Sequence, residues 1–209
     1  MKNITVLDHP LIQHKISLMR DVNTGSKEFR ELVSETSTLM CYEALRDLPV
    51  KQVDVQTPLG ISSTQVLSGV KLALVPMLRG GLGMTDGMAE MIPAAKVGHI
   101  GTFRDPDTTN AVDYYCKLPY DIADREVILA DIMLATGVTA VKAVSKLKEA
   151  GVKKIRFICL IAHAQGIEAI NEAHPDVEIF CGAVDNDIDE KGYIVPGFGD
   201  AGYRMFGTK

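Results

Sequence analysis

Between residues 72 and 183, apolar runs of strand length alternate with stretches of helical period, and that alternation admits few folds. The strand-like runs cover 72–77, 97–103, 114–118, 127–131, 155–162 and 177–183. Helical spacing fills about 83–91, 138–150 and 166–173. Continuously apolar strands joined through helices predict parallel βαβ units: an α/β fold whose mostly parallel sheet is flanked by helices. One neighbouring pair of strands has no helix between its members. There Arg104-Asp105-Pro106-Asp107-Thr108-Thr109-Asn110 makes a polar turn, which predicts a projecting β-hairpin and a candidate mobile cover.

Upstream, Phe29, Leu32, Val33, Thr36, Leu39, Met40 and Ala44 share one face of a helix expected over about 27–46, with Ser26 as its cap. Thr57-Pro58-Leu59-Gly60 and Ser68-Gly69 read as punctuation around a short edge segment and a connection. No linker of domain-separating length interrupts residues 1–209, so a single domain with one substantial core is expected.

The formal charge of −5 and the lack of a basic run argue against a nucleic-acid partner. An acidic chain still holds a small phosphorylated ligand where helix starts and a few arginines act locally, because other charges are screened over about 8 Å. The longest strongly apolar stretch, 157–162, is far short of the ~20 residues of a membrane helix. No signal-peptide pattern opens the chain, and a cytoplasmic protein without a membrane partner is expected. Cys41, Cys116, Cys159 and Cys181 form no CxxC pair and read as packed free thiols. His9, His14, His99, His163 and His174 lack ligand spacing, so no protein-held metal is expected.

The densest chemistry lies at 127–139. An apolar run ends on Asp131, crosses a turn of small and hydroxyl residues, and enters a helix. Unpaired N–H groups at such a helix start, with Gly137 admitting an anion and Thr136 and Thr139 adding hydroxyls, would cradle a monophosphate. Asp131, at a strand's carboxyl end, would accept two hydrogen bonds from a ribose diol. An ordinary buried strand with an Asx turn and a threonine cap competes with that reading. No GxxxxGK[ST] occurs, and no GxGxxG follows any of the strand-like runs above, which leaves P-loop and dinucleotide folds unsupported. Pro76-Met77-Leu78-Arg79-Gly80-Gly81-Leu82-Gly83 offers close backbone approach and a guanidinium fork for a diphosphate, with a plain strand-to-helix turn as the alternative. Arg104 gains weight only beside Arg79. The glycine- and aromatic-rich stretch 192–207 is too irregular for a helix and suits a flat base beside an apolar wall.

These stretches, with Asp8-His9-Pro10-Leu11-Ile12-Gln13-His14-Lys15, Phe29-Arg30-Glu31-Leu32, Ile92-Pro93-Ala94-Ala95-Lys96-Val97-Gly98-His99 and Lys191-Gly192-Tyr193-Ile194-Val195-Pro196-Gly197, occur in an order that resembles the uracil phosphoribosyltransferases over nearly the whole chain. The resemblance implies a type I phosphoribosyltransferase fold with a C-terminal base-binding loop region. It implies transfer of ribose 5-phosphate from phosphoribosyl diphosphate to uracil, giving UMP and diphosphate, with Mg2+ present. Asp131 would hold the ribose hydroxyls. Ile132, Met133, Leu134, Ala135, Thr136, Gly137, Val138 and Thr139 would enclose the 5-phosphate, and Arg79 and Arg104 would engage the diphosphate. Ile194, Gly199, Asp200 and Ala201 would form the uracil pocket, with Asp200 also facing the phosphoribosyl diphosphate. Asp131, Arg79, Arg104 and Asp200 are thus the implied catalytic set. A homodimer or higher assembly and a GTP effector are further implications. The chain departs from the family pattern at Ile132, Val138 and Tyr203, where proline, glycine and an acid are usual. Val138 keeps the loop geometry only at negative φ. A sensor that binds phosphoribosyl diphosphate or UMP without turnover is the competing functional class, and a transferase for another base is a third.

Overall fold

The computed structural model describes residues 3–105 and 111–208. In chain order the elements are β1 (Ile4–Val6), α1 (Pro10–Arg20), α2 (Ser26–Ala44), β2 (Val50–Thr57), β3 (Gly60–Leu67), β4 (Leu72–Leu78), α3 (Leu82–Met91), β5 (Lys96–Val97), β6 (His99–Arg104), β7 (Ala111–Lys117), β8 (Glu126–Leu134), α4 (Val138–Glu149), β9 (Lys154–His163), α5 (Ala164–Ala173), β10 (Glu178–Asp185), β11 (Asp187–Ile188), β12 (Ile194–Val195) and α6 (Ala201–Phe206). The apolar runs of β4, β8 and β9 leave almost no exposed side chain, as strands covered on both faces require. They form the centre of a sheet ordered β1-β10-β9-β8-β4-β6-β7, with β5 also on β4. Every ladder in it is parallel except β6–β7.

Successive strand residues face opposite sides, so one run feeds two cores. Leu74, Ile128, Ile158 and Leu160 pack with Ile12, Ile16, Phe29, Val33, Met84 and Met88 from α1, α2 and α3. Val75, Val127, Leu129 and Phe157 pack on the other face with Ala143, Val144, Leu147, Ile167 and Ile170 from α4 and α5. Each fully buried Leu, Ile or Phe contributes roughly 1.5–3 kcal/mol.

Several local expectations change. The region about Thr57–Gly60 is the turn of an antiparallel hairpin of two eight-residue strands, β2–β3, outside the main sheet, rather than a short edge segment. Its side chains are mostly exposed on both faces, so it lacks the one-sided pattern that marks a covered strand. The run 97–103 breaks at Gly98, whose N–H bonds Leu74 O, into β5 and β6. Ser26 is the first residue of α2 rather than its cap; Gly25 occupies the cap without a side-chain bond. The 192–207 stretch holds the short helix α6, capped by Asp200, although glycine-rich flanks hid it. Cys41, Cys159 and Cys181 are buried free thiols, but Cys116 is exposed because β7 is an edge strand. The β6–β7 hairpin is present; its turn residues Pro106 to Asn110 and the Arg104 side chain lie outside the described residues.

Candidate active site

The chain leaves β4 towards β6 on one side of the sheet and leaves β8 towards β9 on the other. Between the carboxyl ends of β4 and β8 the winding therefore reverses, which is where open α/β sheets leave a crevice. A cavity of about 230 Å3 lies there, lined by Arg79, Gly80, Asp131, Ile132, Met133, Ala201 and Gly202. Larger hollows of about 560 Å3 beside Thr5–Pro10 and about 380 Å3 beside Met91–Ala95 contain none of the candidate residues.

Strand β8 runs three residues past Asp131, to Leu134, so the acid is short of the strand end rather than on it. Ile132 and Leu134 are buried and Asp131 and Met133 half-buried, and Asp131, Ile132 and Met133 all border the cavity. The Asp131 carboxylate accepts the Ile132 N–H at 2.8 Å. Burial pushes its pKa up to about 7, against the pull of that hydrogen bond.

The turn after β4 explains its glycines. A Cβ on Gly80 would lie 2.7 Å from Asp131 Oδ1, and one on Gly81 would collide with Ala130 O and the Met77 backbone. A Cβ on Gly83 would strike the Met205 side chain. These glycines let the β4 turn lie on β8 and α6, as a strand-to-helix turn does, and Gly80 also lines the cavity. Arg79, which follows a cis peptide, projects from the turn to the carboxy-terminal stretch. Its Nη1 donates to Thr208 Oγ1 at 2.8 Å, and its guanidinium lies 5.8 Å from the Phe206 ring centre.

Ala135, Thr136 and Gly137 connect β8 to α4. Gly137 has φ +83° and caps α4 without any side-chain hydrogen bond, leaving the first N–H groups of a twelve-residue helix open to an anion. Only glycine fits, since a Cβ would come 2.8 Å from Ala169 Cβ and 2.9 Å from Gly166 O. Val138 is the first helical residue and is not among the described residues with positive φ, so its β-branch leaves the turn geometry intact. Thr136, Val138 and Thr139 are half-buried.

The base-loop residues divide. Ala201 lines the cavity, whereas Ile194 is 2% exposed and its side chain belongs to the core. Gly199, at φ +69°, has open space where a Cβ would stand. Asp200 Oδ1 accepts the Tyr203 N–H at 2.9 Å, and its Oδ2 accepts the Tyr193 hydroxyl at 3.3 Å. The Tyr203 side chain is 49% exposed and does not line the cavity. The backbone of Arg104 ends β6, on the far side of β4 from β8.

Sequence reasoning missed the groups that hold this stretch. Arg20 grips Asp185 with both Nη atoms at 2.7 Å, and Asp185 Oδ2 accepts the Gly197 N–H at 2.9 Å. Burial raises the Asp185 pKa, but Arg20 and the Gly197 N–H outweigh it and hold the carboxyl below its ordinary value. Arg204 bonds main-chain oxygens of Met19, Asp21 and Thr24, and Arg30 bonds Met205 O at 2.7 Å. One signal was available: Asp185, like Asp131, is an acid that directly follows an apolar run in the sequence.

A family model for uracil phosphoribosyltransferase matches residues 6–208. The chain is 58% identical over 208 residues to a uracil phosphoribosyltransferase of Thermoanaerobacter sp. (strain X514), covering 100% of this chain and 99% of that one. It is 57% identical over 209 residues to that of Bacillus pumilus (strain SAFR-032), with both chains fully covered. Among solved structures, the AQ2163 protein from Aquifex aeolicus superposes with a TM-score of 0.92 at 35% identity over 99% of each chain. Adenine phosphoribosyl transferase from Trypanosoma brucei, in complex with AMP, pyrophosphate and ribose-5-phosphate, gives 0.59 at 10% identity over 88% of this chain and 84% of that one, a likeness of fold. The architecture is that of the type I phosphoribosyltransferases, and the chain belongs to the uracil phosphoribosyltransferase family.

Proposed function

We propose that this protein is a pentosyltransferase of pyrimidine salvage, acting as a single domain over residues 1–209. It transfers 5-phosphoribosyl from phosphoribosyl diphosphate to uracil, giving UMP and diphosphate. The observation that carries the site assignment is the meeting of Arg79, Asp131 and Ala201–Gly202, from three distant segments, around one cavity at the reversal of the sheet.

In this reading Asp131 accepts the ribose hydroxyls, and the open start of α4, with Ile132 to Thr139 around it, receives the 5-phosphate. Arg79 and Arg104 receive the diphosphate, where negative charge grows as the bond to the anomeric carbon breaks. The sugar becomes cationic in the same step, and a carboxylate beside it is favoured in its ionised form. Asp131 is therefore poised: half-neutral near pH 7 before substrate arrives and drawn towards the anion as positive charge develops. Main-chain groups of Ile194, Gly199, Asp200 and Ala201 meet the uracil edge, whose N–H lies between two carbonyls. Cytosine reverses part of that pattern and would leave a buried group unpaired.

No three His, Cys, Asp or Glu side chains among the described residues form a metal cage. One carboxylate beside the cavity suits Mg2+, which is commonly held by one or two carboxylates together with substrate phosphates. When bound, the ion would supply positive charge to the departing diphosphate. The exposed apolar side chains of the β2–β3 hairpin, among them Leu59, Ile61 and Leu67, support a homodimer or higher assembly. A GTP effector follows from the family alone. A cytoplasmic location accords with the finding that no described helix is long and apolar enough to cross a membrane. Steady-state assay with phosphoribosyl diphosphate, Mg2+ and separately uracil, cytosine, hypoxanthine and guanine tests the reading, with and without GTP. Diphosphate release with uracil alone is expected. Release with cytosine at a comparable rate refutes main-chain discrimination, and ligand binding without release refutes the enzyme.

A further inference from the structure

The loop that carries the base-binding groups is short, rich in glycine and fixed at both ends. Its far end is fixed by Asp200, which caps α6. Its near end is fixed by residues from elsewhere in the chain. Asp185, 8% exposed at the carboxyl end of β10, accepts the Gly197 N–H, while Arg20 Nη1 donates to Gly197 O at 3.1 Å. Both main-chain groups of Gly197 are thus held by one bidentate ion pair. Gly197 itself, at φ +53°, admits no side chain, because a Cβ would collide with Ile194 O. The same guanidinium lies 5.6 Å from the centre of the Phe198 ring, which meets Phe29 edge-on at 6.0 Å. Only Gly199 between the two fixed ends has empty space where a side chain would begin.

We propose that Arg20 and Asp185 are positioning residues for uracil: their ion pair sets where the main chain of Gly199 to Ala201 stands relative to Asp131. Neither residue lines the cavity, so neither is catalytic. The inference rests on the base-loop assignment made above. Its physical basis is that main-chain recognition requires placement within a few tenths of an ångström, and a short glycine-rich loop cannot supply that alone. The fork geometry matters as well as the charge. Lysine at position 20 would keep the cation but could not hold two carboxylate oxygens and Gly197 O together.

The test compares Arg20→Lys and Asp185→Asn with the wild type, varying uracil at saturating phosphoribosyl diphosphate and the reverse. Circular dichroism checks the fold, and either folded variant suffices. The proposal expects the ratio of KM for uracil to KM for phosphoribosyl diphosphate to rise at least fivefold, with weaker discrimination against cytosine. A smaller rise, or a parallel rise in both KM values, overturns it, because a purely structural role would spare or damage both sites together. The wild type separates the two claims. If it fails to use uracil, the proposed function falls and the loop role with it. If it turns uracil over normally and the variants match it, the positioning role alone is overturned.

Discussion

Replacing Asp131 by Asn should make the unliganded protein more stable at pH 8 while removing most of its activity. The carboxyl has a pKa near 7 in the folded chain against 3.8 for an exposed aspartate, because burial penalises its charge. A group with a raised folded-state pKa gives its full stability contribution below pH 4 and loses it as pH rises through 7. Over that window the wild type loses at most about 4 kcal/mol, at about 1.4 kcal/mol per pH unit. Water entering the open cavity reduces the expected loss to about 1–3 kcal/mol. Asparagine does not titrate and still offers an oxygen to the Ile132 N–H. Urea unfolding of both proteins without ligand, at pH 5 and pH 8 and at one protein concentration, reads the difference from the midpoints. The variant's advantage should grow between those pH values by about 1–2 kcal/mol. Turnover should fall at least ~100-fold, because the amide presents one acceptor where the ribose diol needs two. An advantage that does not change with pH, or a variant less stable than the wild type at pH 8, refutes the buried-charge argument.

Three further substitutions probe other parts of the site. Arg79→Ala should lower kcat/KM for phosphoribosyl diphosphate by about 100-fold while changing stability by less than about 1 kcal/mol, since the side chain is exposed and its contacts among the described residues are with Thr208 and Phe206. Gly80→Ala places a methyl group 2.7 Å from Asp131 Oδ1 and should reduce turnover about tenfold, with the thermal midpoint nearly unchanged because that side chain can swing aside. Gly137→Ala combines φ +83° with contacts to Ala169 and Gly166, so a stability loss of about 1–3 kcal/mol and a higher KM for phosphoribosyl diphosphate are expected from denaturation and initial rates.

The central sheet was legible because strands covered on both faces are largely apolar, as the runs in β4, β8 and β9 are, although β8 also carries Glu126 and Asp131 and β9 Arg156. Hairpin β2–β3 was not, because its exposed strands carry no burial pattern to read. Asp131 could be picked out as a lone acid after an apolar run. Its depth could not, since continuing the strand to Leu134 depends on pairing with β9 rather than on local sequence. Helix α6 is only six residues long and gains its stability from Met205 and Arg204 packed against distant segments. Arg20 and Asp185 are 165 positions apart, and no periodicity links residues at that distance. The purpose of Gly80 and Gly81 was likewise a matter of tertiary contact, visible only once β8 was in place.

The bonds from Arg204 to Met19, Asp21 and Thr24 set an order of events during synthesis. At about 5–20 residues per second, the joint between α1 and α2 waits roughly 10–40 s on the ribosome before the arginine that closes it is made. The central strands, complete by His163, are all made before that arginine, whereas the proposed base pocket waits for α6. In the proposed reading, uracil and phosphoribosyl diphosphate therefore have no complete site to stabilise until α6 has been made.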